Sequence, residues 1–164
     1  MQGLLAGVLT LLVLGSGCIG EAPQQVKSGD AVRVHYTGTF ENGTVFDSSA
    51  GREPLGFTVG AGRVVPGFAA GVLGMQVGET KTFHIPADQA YGPYREDLVF
   101  VVDPAGISGG ENLAVGQRLG ITLQNGLRLA GTVTNVSPEA VTVDANHRLA
   151  GENLTFTVRI VEIE

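Results

Sequence analysis

At 164 residues the chain has room for one ordinary domain or two small ones. Twenty-five glycines and seven prolines beside 43% hydrophobic residues point to a turn-rich β protein rather than a helical bundle, and a charged fraction of 16% does not suit a disordered chain. The net charge of −6, with no basic stripe, argues against nucleic acid as a partner, and the single cysteine, Cys18, rules out an intramolecular disulfide.

In chain order, the first feature is an uncharged apolar run over residues 4–14. It is shorter than the ~20 apolar residues a spanning helix needs and has the length of a signal-peptide core. Gly15-Ser16-Gly17-Cys18 follows, then the polar Glu21-Ala22-Pro23-Gln24-Gln25. Small residues ahead of Cys18 resemble a lipobox, in which the cysteine is lipidated and becomes the mature N-terminus. An uncleaved anchor is the alternative reading. A buried core cysteine fits poorly beside glycine and serine. The expected boundaries are a signal peptide over 1–17 and a short tether over 18–26, placing the protein on the extracytoplasmic face of the cell membrane.

From Ala31 the pattern alternates. Val32, Val34 and Tyr36 share one face and Arg33, His35 and Thr37 the other, as in a half-buried strand. Asn42-Gly43 predicts a hairpin turn of type I′, which needs positive φ at both central positions. Leu55 and Phe57 alternate before a bend at Gly60 and Gly62. Pro66 suits a helix first turn, where its missing N–H costs nothing. A short helix is therefore expected from Gly67 to Leu73, with Gly74 as its stop. Lys81, Phe83 and Ile85 mark another strand, closed by Pro86.

Composition changes after Gly92. Residues 93–146 hold one tyrosine, Tyr94, and one phenylalanine, Phe100, among many Val, Leu, Thr and Gly. Asn125-Gly126 predicts a second hairpin, between strands over 120–124 and 127–133, and a Ser137-Pro138 turn leads into a strand over 140–143. Leu154, Phe156, Val158 and Ile160 fall in phase, as a last strand.

The run from Val32 to Phe40, Val45-Phe46-Asp47, Val64-Val65-Pro66-Gly67-Phe68 and Ala90-Tyr91-Gly92 together resemble the FKBP-type peptidyl-prolyl cis-trans isomerases. The resemblance implies a mainly β (α+β) fold, an antiparallel sheet wrapped on one short helix. It implies that residues 27–92 and 147–164 form one discontinuous isomerase domain. Residues 93–146 fall where the family has a short loop over the pocket. With His147 and Leu149-Ala150-Gly151 after them they are similar to the SlyD-like subgroup, whose insert-in-flap domain binds unfolded chains.

The implied activity is peptidyl-prolyl cis-trans isomerisation (EC 5.2.1.8), with no cofactor and no metal. Tyr36, Phe46, Phe57 and Phe156 are implied pocket walls and Phe68 the floor, at a position where many relatives carry tryptophan. Val64 and Val65 precede the helix, and the Val65 N–H is the implied donor to a substrate carbonyl. The Tyr91 hydroxyl is a second implied donor. Asp47 is implied at the pocket edge, paired with Tyr36. Leu55 replaces an aromatic of some relatives. Plainer readings stand beside these: Phe57 and Phe83 as core, Asp47 closing an Asx-turn, Tyr91-Gly92 as a structural corner. The histidines, His35, His84 and His147, are dispersed, and a solvated face suits them better than a metal site.

The expected partners are unfolded or proline-containing polypeptides and, through a lipid anchor, the membrane; the protein is expected to be a monomer. Two alternatives remain: a non-catalytic holdase, and a proline-motif binding module on the cell surface.

Overall fold

A computed structural model describes residues 23–107, 113–122, 126 and 128–164. The segment expected to be a signal peptide, Cys18, and the Asn125 of the expected second hairpin turn lie outside the described residues. Two antiparallel sheets organise the rest. The first holds β1 (Ala31–Phe40), β2 (Val45–Ser48), β3 (Leu55–Thr58), β4 (Thr80–Ile85) and β9 (Leu154–Ile163). Its order is β2-β1-β9-β4, with β3 pairing the other half of β1. The second holds β5 (Val99–Val102), β6 (Arg118–Thr122), β7 (Arg128–Val136) and β8 (Val141–Asp144) in the order β5-β8-β7-β6. In sequence it falls wholly between β4 and β9.

The alternating strands behave as their patterns require. In β9, Leu154, Phe156, Val158 and Ile160 are buried while the residues between them are not. In β1, Val32 and Val34 are buried with them. Each such aliphatic side chain contributes on the order of 1.5–3 kcal/mol of apolar burial. The helix α1 (Pro66–Val72) begins one residue before the predicted start, at the proline itself, and Gly74 follows with φ +76°. Its close packing on β4 depends on glycines four residues apart, on one helix face. A Cβ at Gly67 would lie 2.3 Å from Ile85, and one at Gly71 2.3 Å from the Phe83 ring.

The first hairpin departs from expectation. Gly43 alone takes positive φ, +82°, and Asn42 does not. Gly43 N–H donates to the Phe40 carbonyl at 2.9 Å, and Thr44 N–H to the Asn42 side chain at 2.9 Å. The Asn42 amide satisfies the turn from an ordinary backbone conformation, so a longer loop with a single left-handed glycine replaces the two-residue type I′ turn. Later elements shift by one to three residues: β6 ends at Thr122 and β7 runs on to Val136.

The two sheets meet where the chain leaves the first and returns to it. Gly151 N–H donates to the Gly92 carbonyl at 2.8 Å, and Ala145 N–H to the Leu98 carbonyl at 2.9 Å. The Asn146 amide both accepts from the Arg95 N–H (2.9 Å) and donates to the Arg95 carbonyl (2.8 Å), as a backbone strand partner would. Tyr94 donates to Asp144 at 2.9 Å. These contacts pair residues some fifty positions apart and form a clasp between the outgoing and returning chain.

Candidate active site

A cavity of about 500 Å³ opens at one end of the first sheet. Tyr36 enters it from β1, Phe46 and Asp47 from β2, Leu55 from β3 and Phe156 from β9. The loop ahead of α1 contributes Gly62, Arg63, Val64 and Val65; α1 contributes Pro66 and Phe68; Tyr91 closes the rim. Of the nine residues the resemblance puts at the pocket, eight, Tyr36, Phe46, Asp47, Val64, Val65, Phe68, Tyr91 and Phe156, line one cavity. Phe57 does not. It is buried behind Phe68, ring centroids 5.7 Å apart, so the plain core reading holds for it. In β3 the two alternating side chains divide, Leu55 to the cavity and Phe57 to the core.

Phe68 is the hub of the apolar wall. It is 3% exposed and meets Phe156 edge-on at 5.0 Å and Tyr36 at 6.1 Å, both within the range favoured by aromatic quadrupoles. Phe46 meets Phe156 edge-on at 5.6 Å. That approach needs Gly38 in β1, because a Cβ there would sit 2.6 Å from Phe46 and 2.9 Å from Phe156.

The polar side of the site is built around Asp47. One carboxylate oxygen accepts from the Tyr36 hydroxyl at 2.6 Å; the other accepts from Arg52 at 2.7 Å and from the Ser48 N–H at 2.9 Å. Hydrogen bonding by Tyr36, then by Arg52 and Ser48, holds the Asp47 carboxyl below the usual carboxylate range against the opposing effect of its burial. Burial, and then the bond to Asp47, pushes the Tyr36 hydroxyl up to about 12. At neutral pH the pair is therefore a phenol donating to a carboxylate. Arg52 also donates to the Ser48 carbonyl. It is the member of this group the sequence reading missed: five residues after Asp47, across a turn through Gly51 (φ +72°), it matches no strand or helix period.

Val65 caps α1, its carbonyl accepting from Phe68 and Ala69 at 3.0 and 3.2 Å. Its N–H donates to no acceptor among the described residues. The histidines are scattered as expected: His35 bonds Ser49 at 3.0 Å, His84 bonds Thr155 at 2.7 Å, and His147 stacks on Tyr91.

A cleft with this lining can take an apolar ring out of water and offer donors at its rim to a carbonyl. It suits rotation about an amide, which breaks no bond. Uncatalysed rotation faces a barrier of ~20 kcal/mol because it sacrifices resonance. Water favours the more polar planar amide, so a dry pocket that binds the twisted form preferentially lowers the barrier.

Comparison with known proteins points the same way. The family model for FKBP-type peptidyl-prolyl cis-trans isomerases matches residues 22–161. A probable FKBP-type 16 kDa peptidyl-prolyl cis-trans isomerase of Pseudomonas fluorescens is 30% identical over 145 residues, 87% of this chain and 95% of that protein. The FKBP-type isomerase SlyD of Aeromonas hydrophila is 39% identical over 132 residues, 80% of this chain and 61% of that protein. FK506-binding protein 2 of Yarrowia lipolytica is 53% identical over 73 residues; this match covers 44% of the chain and only about half, 51%, of the yeast protein. With the fold, the aromatic cleft and these relatives in agreement, the chain belongs to the family of FKBP-type peptidyl-prolyl cis-trans isomerases, EC 5.2.1.8.

Proposed function

We propose that the protein isomerises Xaa-Pro bonds in unfolded or partly folded polypeptides. The proline ring enters the cavity above Phe68, between Tyr36, Phe46 and Phe156. The Val65 N–H takes a substrate carbonyl, and the Tyr91 hydroxyl takes a second acceptor. Asp47, held by Tyr36 and Arg52, sets the shape of the polar rim. The observation that carries this reading is the convergence of all eight residues, from five strands and loops and one helix, on one cavity.

In the same reading the segment over 93–146 is an inserted domain that captures unfolded chains and presents them to the cavity. Its exposed apolar side chains support this: Val101 is 71% and Val115 66% exposed. Lipidation of Cys18 would hold the protein at the extracytoplasmic membrane face; Cys18→Ser should then move it from the membrane fraction to the soluble or unprocessed one. An unchanged partition would point to a helical anchor.

The decisive test is a prolyl-isomerisation assay on a short peptide, with the soluble form starting at residue 19. Phe68→Ala should lower the rate at least about tenfold, a loss of ~1.4 kcal/mol in transition-state stabilisation. A folded Phe68→Ala protein with wild-type activity would remove Phe68 from the site. A wild-type protein with no activity would favour the non-catalytic holdase.

A further inference from the structure

Tyr91 is 40% exposed at the cavity rim, and its hydroxyl makes no hydrogen bond with the described residues. What fixes its ring is His147. The two rings lie parallel, interplanar angle 1°, with centroids 4.1 Å apart. His147 is itself held, at its side chain and at its carbonyl, by the residues that follow it. Its Nδ1 accepts from the Leu149 N–H at 3.2 Å, and its carbonyl accepts from the Ala150 N–H at 2.8 Å. The turn that holds His147 is joined to the residue after Tyr91 by the Gly151–Gly92 bond. Tyr91 thus rests on a plate built from the chain as it returns from the second sheet, and the plate and the tyrosine are pinned to each other.

We propose that His147 is a positioning residue for the isomerase reaction. It holds the Tyr91 ring flat at the rim, so that the otherwise unrestrained hydroxyl meets the twisting substrate amide already oriented. This rests on the reading that Tyr91 donates to substrate. A hydroxyl free to swing must be ordered as the transition state forms, and the cost falls on the rate. With the ring already stacked, that cost is met in the folding of the clasp.

A double-mutant cycle on the full soluble chain, assayed with a short proline peptide, tests this. His147→Ala should lower kcat about three- to tenfold with little change in KM, and Tyr91→Phe should do about the same. The double variant should be no worse than the poorer single one, because without the hydroxyl there is nothing to orient. His147→Phe, which keeps a flat ring, should recover most of the loss. A merely structural role for His147 would instead give losses that multiply, since Phe at position 91 still stacks. Multiplying losses overturn the proposal, as does full activity in either single variant. Should His147→Ala fail to fold, as judged by thermal melting, His147→Phe against His147→Leu in both Tyr91 and Tyr91→Phe backgrounds provides the same cycle. Phe68→Ala keeps the two readings apart: its loss of activity combined with multiplying His147 losses would sink the positioning role and leave the isomerase site standing.

Discussion

The two sheets of this chain are held in different ways. The first closes over a core of fourteen buried side chains from Val26 to Ile160, with Phe68 and Phe156 at its centre. Among the described residues the second buries three, Val133, Val141 and Val143, with four partly buried neighbours around them. Apolar burial is the main favourable term in folding and rises with the size of the core. The second sheet therefore has little interior to spare, and the polar clasp of Arg95, Tyr94, Asp144 and Asn146 joins it to the first. One region is a rigid frame for a cavity; the other is a lightly packed appendage that can yield, as elements that engage partners commonly do.

The sharpest way to break this contrast is to weaken the smaller core. Val143→Ala should cost about 2 kcal/mol. Because so little else is buried there, the second sheet should open while the first stays closed. Amide exchange should quicken across β5 to β8 and remain slow in β1 and β9. Uniform acceleration through both sheets would mean that they unfold as one unit.

A smaller effect is expected from pH, and substitutions at Asp47 and Tyr36 isolate the part of it that comes from the frame. Asp47 has a depressed value in the folded chain, so what it contributes is present above the ordinary carboxylate range and is lost as pH falls through the depressed value. Tyr36 is raised to about 12, so its contribution is complete below the ordinary phenol value of about 10 and disappears as pH rises from there through about 12. Melting temperature below about pH 4 should therefore fall less steeply in Asp47→Asn than in the wild type. The alkaline loss should flatten in Tyr36→Phe. Equal acid slopes in wild type and Asp47→Asn would leave the pair without a part in stability.

The smallest effect is expected from the largest change. Leu98 and Ala145 are already hydrogen-bonded to each other, so a short glycine loop can join them in place of residues 99–144. Closure cost varies weakly with loop length. The shortened protein should fold and should isomerise a short peptide within about twofold of wild type, keeping the Tyr91–His147 stack. If the second sheet captures unfolded chains as proposed, refolding of a whole protein substrate should suffer more, because capture would raise the effective concentration of proline at the cavity. Equal losses in both assays would show that the sheets do not divide the work.

Much of the frame was legible in the chain. The period-two runs of β1 and β9 and the proline at the start of α1 each have a local cause, and local causes leave marks in sequence. The site was legible through the resemblance, since the residues that meet at the cavity stand as far apart as Tyr36 and Phe156 and no period links them. Two features escaped, and a third, the place of Phe57, was left open between pocket wall and core. Arg52 reaches Asp47 only through the particular path of a turn. Phe57 shares its strand with Leu55, yet the sheet's shape sends one side chain to the cavity and the other to the core. Asn42 could have taken a left-handed conformation, but its side chain met the turn's needs instead, and nothing local distinguishes those outcomes.

The position of β9 carries a consequence for how the protein comes into being. It lies between β1 and β4, so the first sheet lacks its middle strand until Leu154–Ile163 is available. During synthesis the second sheet, whose strands all lie between residues 99 and 144, can assemble early, whereas β1, paired with β2 and β3 along one edge, must wait for the partner of its other edge more than a hundred residues away. Pairings of such long range are slow to form. An isomerase with this topology is therefore born with its second sheet formed ahead of its catalytic frame, and gains its cavity only when β9 slides into the gap.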